Sequence, residues 1–444
     1  MAFRIGLPET SRRAFWARLY ARRRLMSELA APFAPTHYAL IGEKLGYRPN
    51  AFFDPHYFRD RAGIARNSGE SLLALYLARP EANAPSPSAE FDHAWYVSQN
   101  PDWMESHPHP FLHFLESGMR NGRRPRPDID LKFVRDVIRG GRRSLEAAAY
   151  RVFDRTPCDG ELGPPLNREQ LRARQDRFYA DARLRIEREA GRTGRNFLVF
   201  VQCGQGFDAR YLEEPRGYDV LLNYYKESPV NPKAEIAVFQ AGTKTTAIRR
   251  LMELRADLLL RYEAVLFLDD DVEIGAEGID ALFRAMTAER LDLAQPALTA
   301  DSLTAYPFLK RPSVGAGVMR VSSVEIMAPA ITRRALKRAN WVFAESVSGW
   351  GSDLLLGPAV RSAFGPKSVG VVGSVAARHA TPVDTQGGAF YAFLRRYGVD
   401  PGHEANRIAV DFGVERFLRP LRAGEAGQTR QAPPRDGEAG SGSV

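Results

Sequence analysis

The sequence predicts an α/β fold, a mixed sheet flanked by helices, preceded by a small all-helical repeat domain. Three observations carry that prediction. Residues 262–268 (YEAVLFL) are apolar, β-branched and aromatic without Gly or Pro, the pattern of a buried strand, and stop at Asp269, Asp270 and Asp271. From residue 196 onward, short apolar runs alternate with helix-like stretches. Before that, residues 37–133 repeat with a period of 38.

A chain of 444 residues can bury a large core and should hold more than one domain. Its 62 Lys plus Arg against 53 Asp plus Glu give a charge of +9. That balance suits nucleic acid, anionic lipid or phosphorylated substrates without choosing among them. Cys158 and Cys203 alone exclude a disulfide scaffold and a thiolate zinc site, so a reducing cytoplasm is the expected setting. No signal peptide is visible, and no apolar run reaches the ~18 residues of a membrane span.

Residues 1–32 mix Phe15, Trp16, Leu19, Tyr20 and Leu25 with Arg12, Arg13, Arg18, Arg22, Arg23 and Arg24. They read as a basic amphipathic segment that either lies on anionic lipid at the inner membrane or packs as an ordinary first helix. Residues 33–150 form the helical domain of three repeats. Pro49, Pro87 and Pro125 recur, as do Asp54, Asp92 and Asp130, and Gly42 and Gly46 return as Gly118 and Gly122. His56, His93, His107, His109 and His113 are irregularly spaced, which favours aromatic packing over metal ligation. Residues 151–195 are a linker and a charged helix, 196–417 the catalytic domain, and 418–444 a tail too poor in apolar residues to fold.

Within 196–417, strands are expected at 197–202, 218–225, 234–240 and 262–268, with helices at 245–262 and 276–290. LDLAQPAL is a further strand, SSVEIMAPAITRRALKRAN a strand feeding a helix, and FAESVSGWGSDLLLGPAV with SVGVVGSVAARHATPV completes the sheet region. Gly204 and Gly206 in CGQGFD allow the close backbone approach that a loop over a nucleotide requires.

Three carboxylates at the carboxyl end of an apolar strand need cationic company. Asp269 and Asp271 lie two apart, so on extended backbone they face one way and can share a divalent ion, while Asp270 points elsewhere. Such an ion neutralises a phosphate-linked leaving group; Mn or Mg suits these ligands, and His379, if it completes the set, favours Mn. His379 can equally be a packing residue. Asp353 in SGWGSDLLLG is the candidate general base, with a helix N-cap as the plain alternative, and Trp350 is placed to stack on a sugar ring. Lys244 and Arg320 are diphosphate-binding candidates, although Lys244 could be a first-turn surface residue.

Two resemblances add to this reading. FDHAWYVSQNPDW and HFLESGMRNGRRPRP resemble short repeated modules that accompany glycosyltransferases of bacterial surface-polysaccharide synthesis. LFLDDDVEI, LDLAQPAL, VEIMAPAITRRALKRA, SGWGSDLLLG and VGVVGSVAARHATPV, in that order, resemble a domain family of unknown function (DUF707-like), itself similar to GT-A-fold glycosyltransferases. The resemblance implies a GT-A-like fold over 196–385 and a nucleotide diphosphate sugar bound over the first strands. It also implies a metal bridging the diphosphate and Asp269/Asp271, with Glu325, Asp353 and His379 at matching motif positions. Where that family tends to read D-E-D, this chain has Asp270.

The expected function is therefore metal-dependent transfer of a sugar from a nucleotide diphosphate sugar to a surface-polysaccharide or glycolipid acceptor, in the cytoplasm or peripherally at the membrane. The alternatives are a glycan-binding or scaffolding protein working through its repeats, a nucleotidyltransferase and a phosphohydrolase. CGQGFD has no basic residue, which argues against a nucleotidyltransferase. No zinc-finger or RNP-like motif appears, so no nucleic-acid partner is expected.

Overall fold

The computed structural model describes residues 7–24, 26, 28–66, 68–154, 162–191, 193–204, 210–422 and 425. The chain divides into two units, Met1–Leu171 and Arg172–Val444.

The first unit is helical, and its period is written in hydrogen bonds. Asp54, Asp92 and Asp130 cap the helices Pro55–Arg61, His93–Gln99 and Leu131–Phe133 through their side chains. The backbone amides of Trp16, Asp54 and Asp92 donate to the carbonyls of Pro49, Pro87 and Pro125, each at 3.0 Å. These positions are 38 apart, so the structural repeat reaches back to Trp16. Leu7, Phe15 and Tyr20 belong to the same apolar cluster as Phe52, Phe91 and Phe114. The described part of residues 1–32 thus packs with the repeats.

Inside each outer repeat a tyrosine hydroxyl meets a histidine ring: Tyr20 with His37 Nδ1 at 2.9 Å and Tyr96 with His113 Nδ1 at 3.0 Å. The equivalent middle positions are Phe58 and Leu75, so the polar pair is replaced as a pair by apolar residues. Gly42 and Gly118 follow the same rule. A Cβ on either would lie 2.2 or 2.4 Å from the Tyr20 or Tyr96 hydroxyl oxygen, and where the hydroxyl is missing, Pro80 stands instead. His93 and His109 are buried as well, their ring nitrogens bonded to Tyr76, Glu81, Arg79 and Phe111.

The second unit carries a ten-stranded mixed sheet flanked by helices. Its strands are β1 (Leu184–Glu189), β2 (Phe197–Cys203), β3 (Tyr218–Tyr224), β4 (Ile236–Gln240), β5 (Ala264–Asp269), β6 (Val272–Glu273), β7 (Leu293–Leu298), β8 (Val318–Arg320), β9 (Ala330–Thr332) and β10 (Val369–His379). The order is β1-β4-β3-β2-β5-β9-β7-β10-β6, with β8 paired to β10. Strands β4, β3, β2 and β5 run parallel, as do β7 and β10, and β9 is antiparallel between β5 and β7. Every residue of β3 is buried, as a strand covered on both faces requires.

Three expected elements differ. The charged stretch 166–195 is a helix, Arg168–Asp181, followed by β1, where Leu184 and Ile186 turn toward the sheet edge while their neighbours stay in water. SSVEIMAPAITRR is strand only at Ala330–Thr332, and residues 322–329 are irregular. FAESVSGWGSDLLLGPAV adds no strand: it becomes a loop and the helix Ser352–Phe364, because Leu354, Leu355, Leu356 and Val360 form a helical apolar face.

Candidate functional site

From β2 the chain moves to β3 and β4 on one side of the sheet and returns to β5 on the other. The carboxyl ends of β2 and β5, paired in register up to Gln202 and Asp269, therefore flank a topological switch point, where open α/β sheets take ligands. The three aspartates stand here. A turn at Asp270 and Asp271 interrupts the strand, so they diverge and each meets its own partner.

Asp269 Oδ1 lies 2.7 Å from Lys244 Nζ, which also donates to the Met327 carbonyl at 3.1 Å. Lys244 is the first residue of helix Lys244–Leu254, capped by Thr243, and only 6% exposed; it is no surface residue. Burial pushes the Lys244 ammonium down and the Asp269 carboxyl up, and the ion pair opposes both shifts.

Asp270 turns to β2. Its Oδ2 accepts from the Gly204 amide at 2.8 Å and from the Tyr225 hydroxyl at 3.4 Å. A Cβ at Gly204 would sit 2.5 Å from that hydroxyl, so glycine here follows from packing on Tyr225. Gly206, with the rest of 205–209, lies outside the described residues.

Asp271 Oδ2 lies 3.3 Å from Nε2 of His379, the last residue of β10. His379 Nδ1 bonds the Leu303 carbonyl at 2.8 Å, which fixes the ring and aims Nε2 at Asp271. The Asp271 hydrogen bond raises the imidazole to about 9. Burial works to raise Asp271, but His379, with Lys244 and a hydrogen bond from Thr381 beside it, holds the carboxyl below its usual range. Without a metal the two form an ion pair, the ring donating from Nε2. A divalent cation displacing that proton would find one carboxylate and one oriented imidazole, a donor pair suited to Mn. Among the described residues, no group of three or more His, Cys, Asp or Glu gathers as a complete protein-made metal site.

Two more carboxylates belong to this neighbourhood. Asp353 sits in the first turn of helix Ser352–Phe364, where Gly351, at φ +87°, is the N-cap. Asp353 is therefore not the cap, and its carboxylate accepts from the next amide, Leu354, at 2.9 Å. Burial pushes Asp353 up to about 6. The loop before it is held by Glu404, a fully buried carboxylate that accepts from the Val347 and Ser348 amides, the Ser346 hydroxyl and Gln175. Trp350 on that loop is 39% exposed and meets Tyr391 edge-on.

Glu325 has no assigned role in the sequence reading. Its backbone amide donates to Gln295 Oε1 at 2.7 Å, and its carboxylate accepts from the Thr304 hydroxyl at 3.1 Å. Burial, opposed by the Thr304 hydrogen bond and by His379 and helped by the charge of Asp353, lifts it to about 7. The available signal was a lone acid inside the otherwise uncharged SSVEIMAPAI. Arg320 is not in this group. It closes β8 opposite Gly370, near the start of β10, and donates to the Lys367 carbonyl at 2.7 Å. A diphosphate at the carboxyl ends of the strands is at the other end of β10.

No protein-family model matches the chain, and no curated protein matches it. The likeness to the named domain family thus rests on the quoted segments alone. Solved structures do match in part. S. aureus TarS aligns with a TM-score of 0.30 and 11% identity over 49% of this chain and 42% of that chain. TarS 1–349 in complex with UDP-GlcNAc aligns with a TM-score of 0.29 and 11% identity over 49% of this chain and 73% of that one. The chain thus spans less than half the length of the first of these, and a likeness this slight carries no argument about the site.

Proposed function

We propose that this chain transfers a sugar from a nucleotide diphosphate sugar to a hydroxyl of a glycan or glycolipid, using residues 196–417 as a GT-A-like catalytic domain and the repeats as its companion. The observation that supports this reading is the pairing of Asp271 with an oriented His379 at the carboxyl end of the central sheet, beside the switch point between β2 and β5. Asp271 and His379 would hold the divalent cation. What a bound cation supplies is charge for the departing diphosphate. Asp269 is neutralised by Lys244 and orders the floor of the site, while Asp270 ties the end of β2 to that floor.

Transfer with inversion also needs a base. The acceptor oxygen bonds to the anomeric carbon as the carbon–diphosphate bond breaks, and the hydroxyl proton passes to the Asp353 carboxylate. At neutral pH Asp353, near 6, is ionised, whereas Glu325, near 7, is still partly protonated and can donate to a sugar hydroxyl. Exposed Trp350 offers a face for a sugar ring.

The test is a mass-spectrometric screen of nucleotide sugars with the purified chain and Mn, alongside Asp271→Asn and Asp353→Asn. One donor releasing its nucleoside diphosphate with the wild type, and neither variant releasing it, is the expected result. Release unaffected by either substitution, or by removal of Mn, would overturn the proposal.

A further inference from the structure

Five of the thirteen exposed large apolar side chains among the described residues fall within 29–45: Leu29, Phe33, Leu40, Ile41 and Leu45. They lie on one continuous helical run, 28–42, made of Glu28–Phe33, Ala34–His37 and Tyr38–Gly42 and ending in a turn. Its buried side is Ala31, Ala34, Tyr38 and Gly42, so this helix turns small residues and one tyrosine inward and large aliphatic residues to water. Leu29 is 88% and Phe33 69% exposed, the reverse of an ordinary surface helix.

The repeats supply an internal control. In the third repeat the positions of Leu29, Leu40, Ile41 and Leu45 are Glu105, Glu116, Ser117 and Asn121. In the second, those of Leu40, Ile41 and Leu45 are Ala78, Arg79 and Asn83. The inward positions keep their character, as Tyr38 returns as Tyr76 and Phe114. The fold of the repeat therefore does not require apolar residues on its outward side. At these four positions only the first copy carries large apolar side chains, and exposed apolar residues gathered on one short run in this way mark a contact surface.

Charge selects the occupant. Helix Ala17–Arg23 packs against the run and exposes Arg18 and Arg22, and Lys44 is exposed beside Leu45. From 17 to 46 the only acids are Glu28 and Glu43, and the Glu43 carboxylate is buried, bonded to Tyr38, Ser71 and the Leu73 amide. A two-fold contact with a second copy would set these cations against themselves. An anionic surface with an apolar interior meets both features. We infer that the outward side of residues 29–45 docks the first unit on an anionic lipid bilayer, the apolar side chains entering the headgroup–acyl boundary and Arg18 and Lys44 meeting lipid phosphates. No helix among the described residues is long and apolar enough to cross a membrane, so the contact lies on the surface.

The test is flotation of the full chain with vesicles of phosphatidylcholine alone or mixed equally with phosphatidylglycerol, at low and high salt. The variant is Leu40→Glu/Ile41→Ser/Leu45→Asn, the residues the third repeat already carries at these positions, with thermal melting as the fold control. The expected result is that the wild type floats with the anionic vesicles and not with phosphatidylcholine alone, that salt weakens it, and that the variant loses at least ~10-fold in apparent affinity. Equal flotation of both proteins would overturn the inference. So would a wild type that ignores anionic vesicles, or one that light scattering shows to be a dimer split by the variant. If the triple variant does not fold, Arg18→Gln/Lys44→Gln decides: lost flotation supports the inference and unchanged flotation overturns it.

Discussion

Lys244 Nζ stands 2.7 Å from Asp269 Oδ1 and 3.1 Å from the Met327 carbonyl oxygen, so the first aspartate of the triplet is neutralised by the chain itself. Lys244→Met leaves that carboxylate, whose side chain is 34% exposed, without its cation. The expected loss is about 2 kcal/mol, read by urea unfolding, because a charge is left without its partner and water reaches it only in part. Lys244→Met/Asp269→Asn should recover part of it. A loss below ~1 kcal/mol in the single variant would show that the pair anchors nothing.

Asp353 and Glu325 set the pH dependence of the proposed transfer. Burial raises Asp353 to about 6, so its basic form is lost as pH falls through that value. Transfer should therefore decline on the acid side with a midpoint near 6, and Asp353→Asn should lower the rate by about 10²–10⁴-fold. In that variant Glu325 should titrate below its wild-type value of about 7, since the Asp353 charge that helps raise it is gone. Carboxyl NMR on labelled glutamate reads this directly; an unmoved Glu325 would mean the two groups do not sense one another.

In the repeats, Tyr96, His113 and Gly118 form a unit that can be tested as a cycle. Tyr96→Phe leaves His113 Nδ1 without its 3.0 Å partner and should cost about 1–2 kcal/mol. Tyr96→Phe/His113→Leu copies the Phe58–Leu75 pair of the middle repeat and should recover most of that loss. Gly118→Ala should destabilise the wild type through the 2.4 Å approach to the Tyr96 hydroxyl, and much less in the Tyr96→Phe background. Additive costs would contradict the coupling.

His109 makes this unit acid-sensitive. Burial, with His93 beside it, lowers its ring to about 3; Nδ1 accepts from the Phe111 amide and Nε2 donates to the Arg79 carbonyl, as a neutral imidazole requires. The unfolded ring titrates near ~6.5. Between these values the unfolded chain binds the extra proton, so stability is complete above ~6.5 and falls as pH drops toward about 3. The slope from this group should approach about 1.4 kcal/mol per pH unit and vanish in a folded His109→Gln variant. A wild-type slope equal to that of the variant would contradict the assignment.

Much of the central sheet was legible because its strands are apolar on both faces. Residues 197–202, 218–225 and 262–268 needed nothing beyond composition, and β2, β3 and β5 follow them closely. The edge strand β1 was hidden because only Leu184 and Ile186 face inward along LRIERE. The Asp triplet could be found, but not the divergence of its members. That depends on a turn at Asp270 and on Lys244, Tyr225 and His379 arriving from elements far away in sequence. Glu325 could be placed in a motif, but its acidity could not be foreseen, since tertiary burial sets it. The repeat was visible as a spacing, whereas the joint loss of hydroxyl, imidazole and glycine in its middle copy became meaningful only once Tyr96 and His113 were seen to touch.

The central claim is that Asp271 and His379 form the cation seat of a nucleotide diphosphate site. It is tested most directly by electron paramagnetic titration of Mn²⁺ into the protein with UDP, GDP or ADP, for the wild type, Asp271→Asn and His379→Gln. One nucleotide should draw Mn²⁺ onto the wild type, and each substitution should weaken that uptake by about 10–100-fold. Uptake that is equal in all three proteins, or the same with and without nucleotide, would contradict the account.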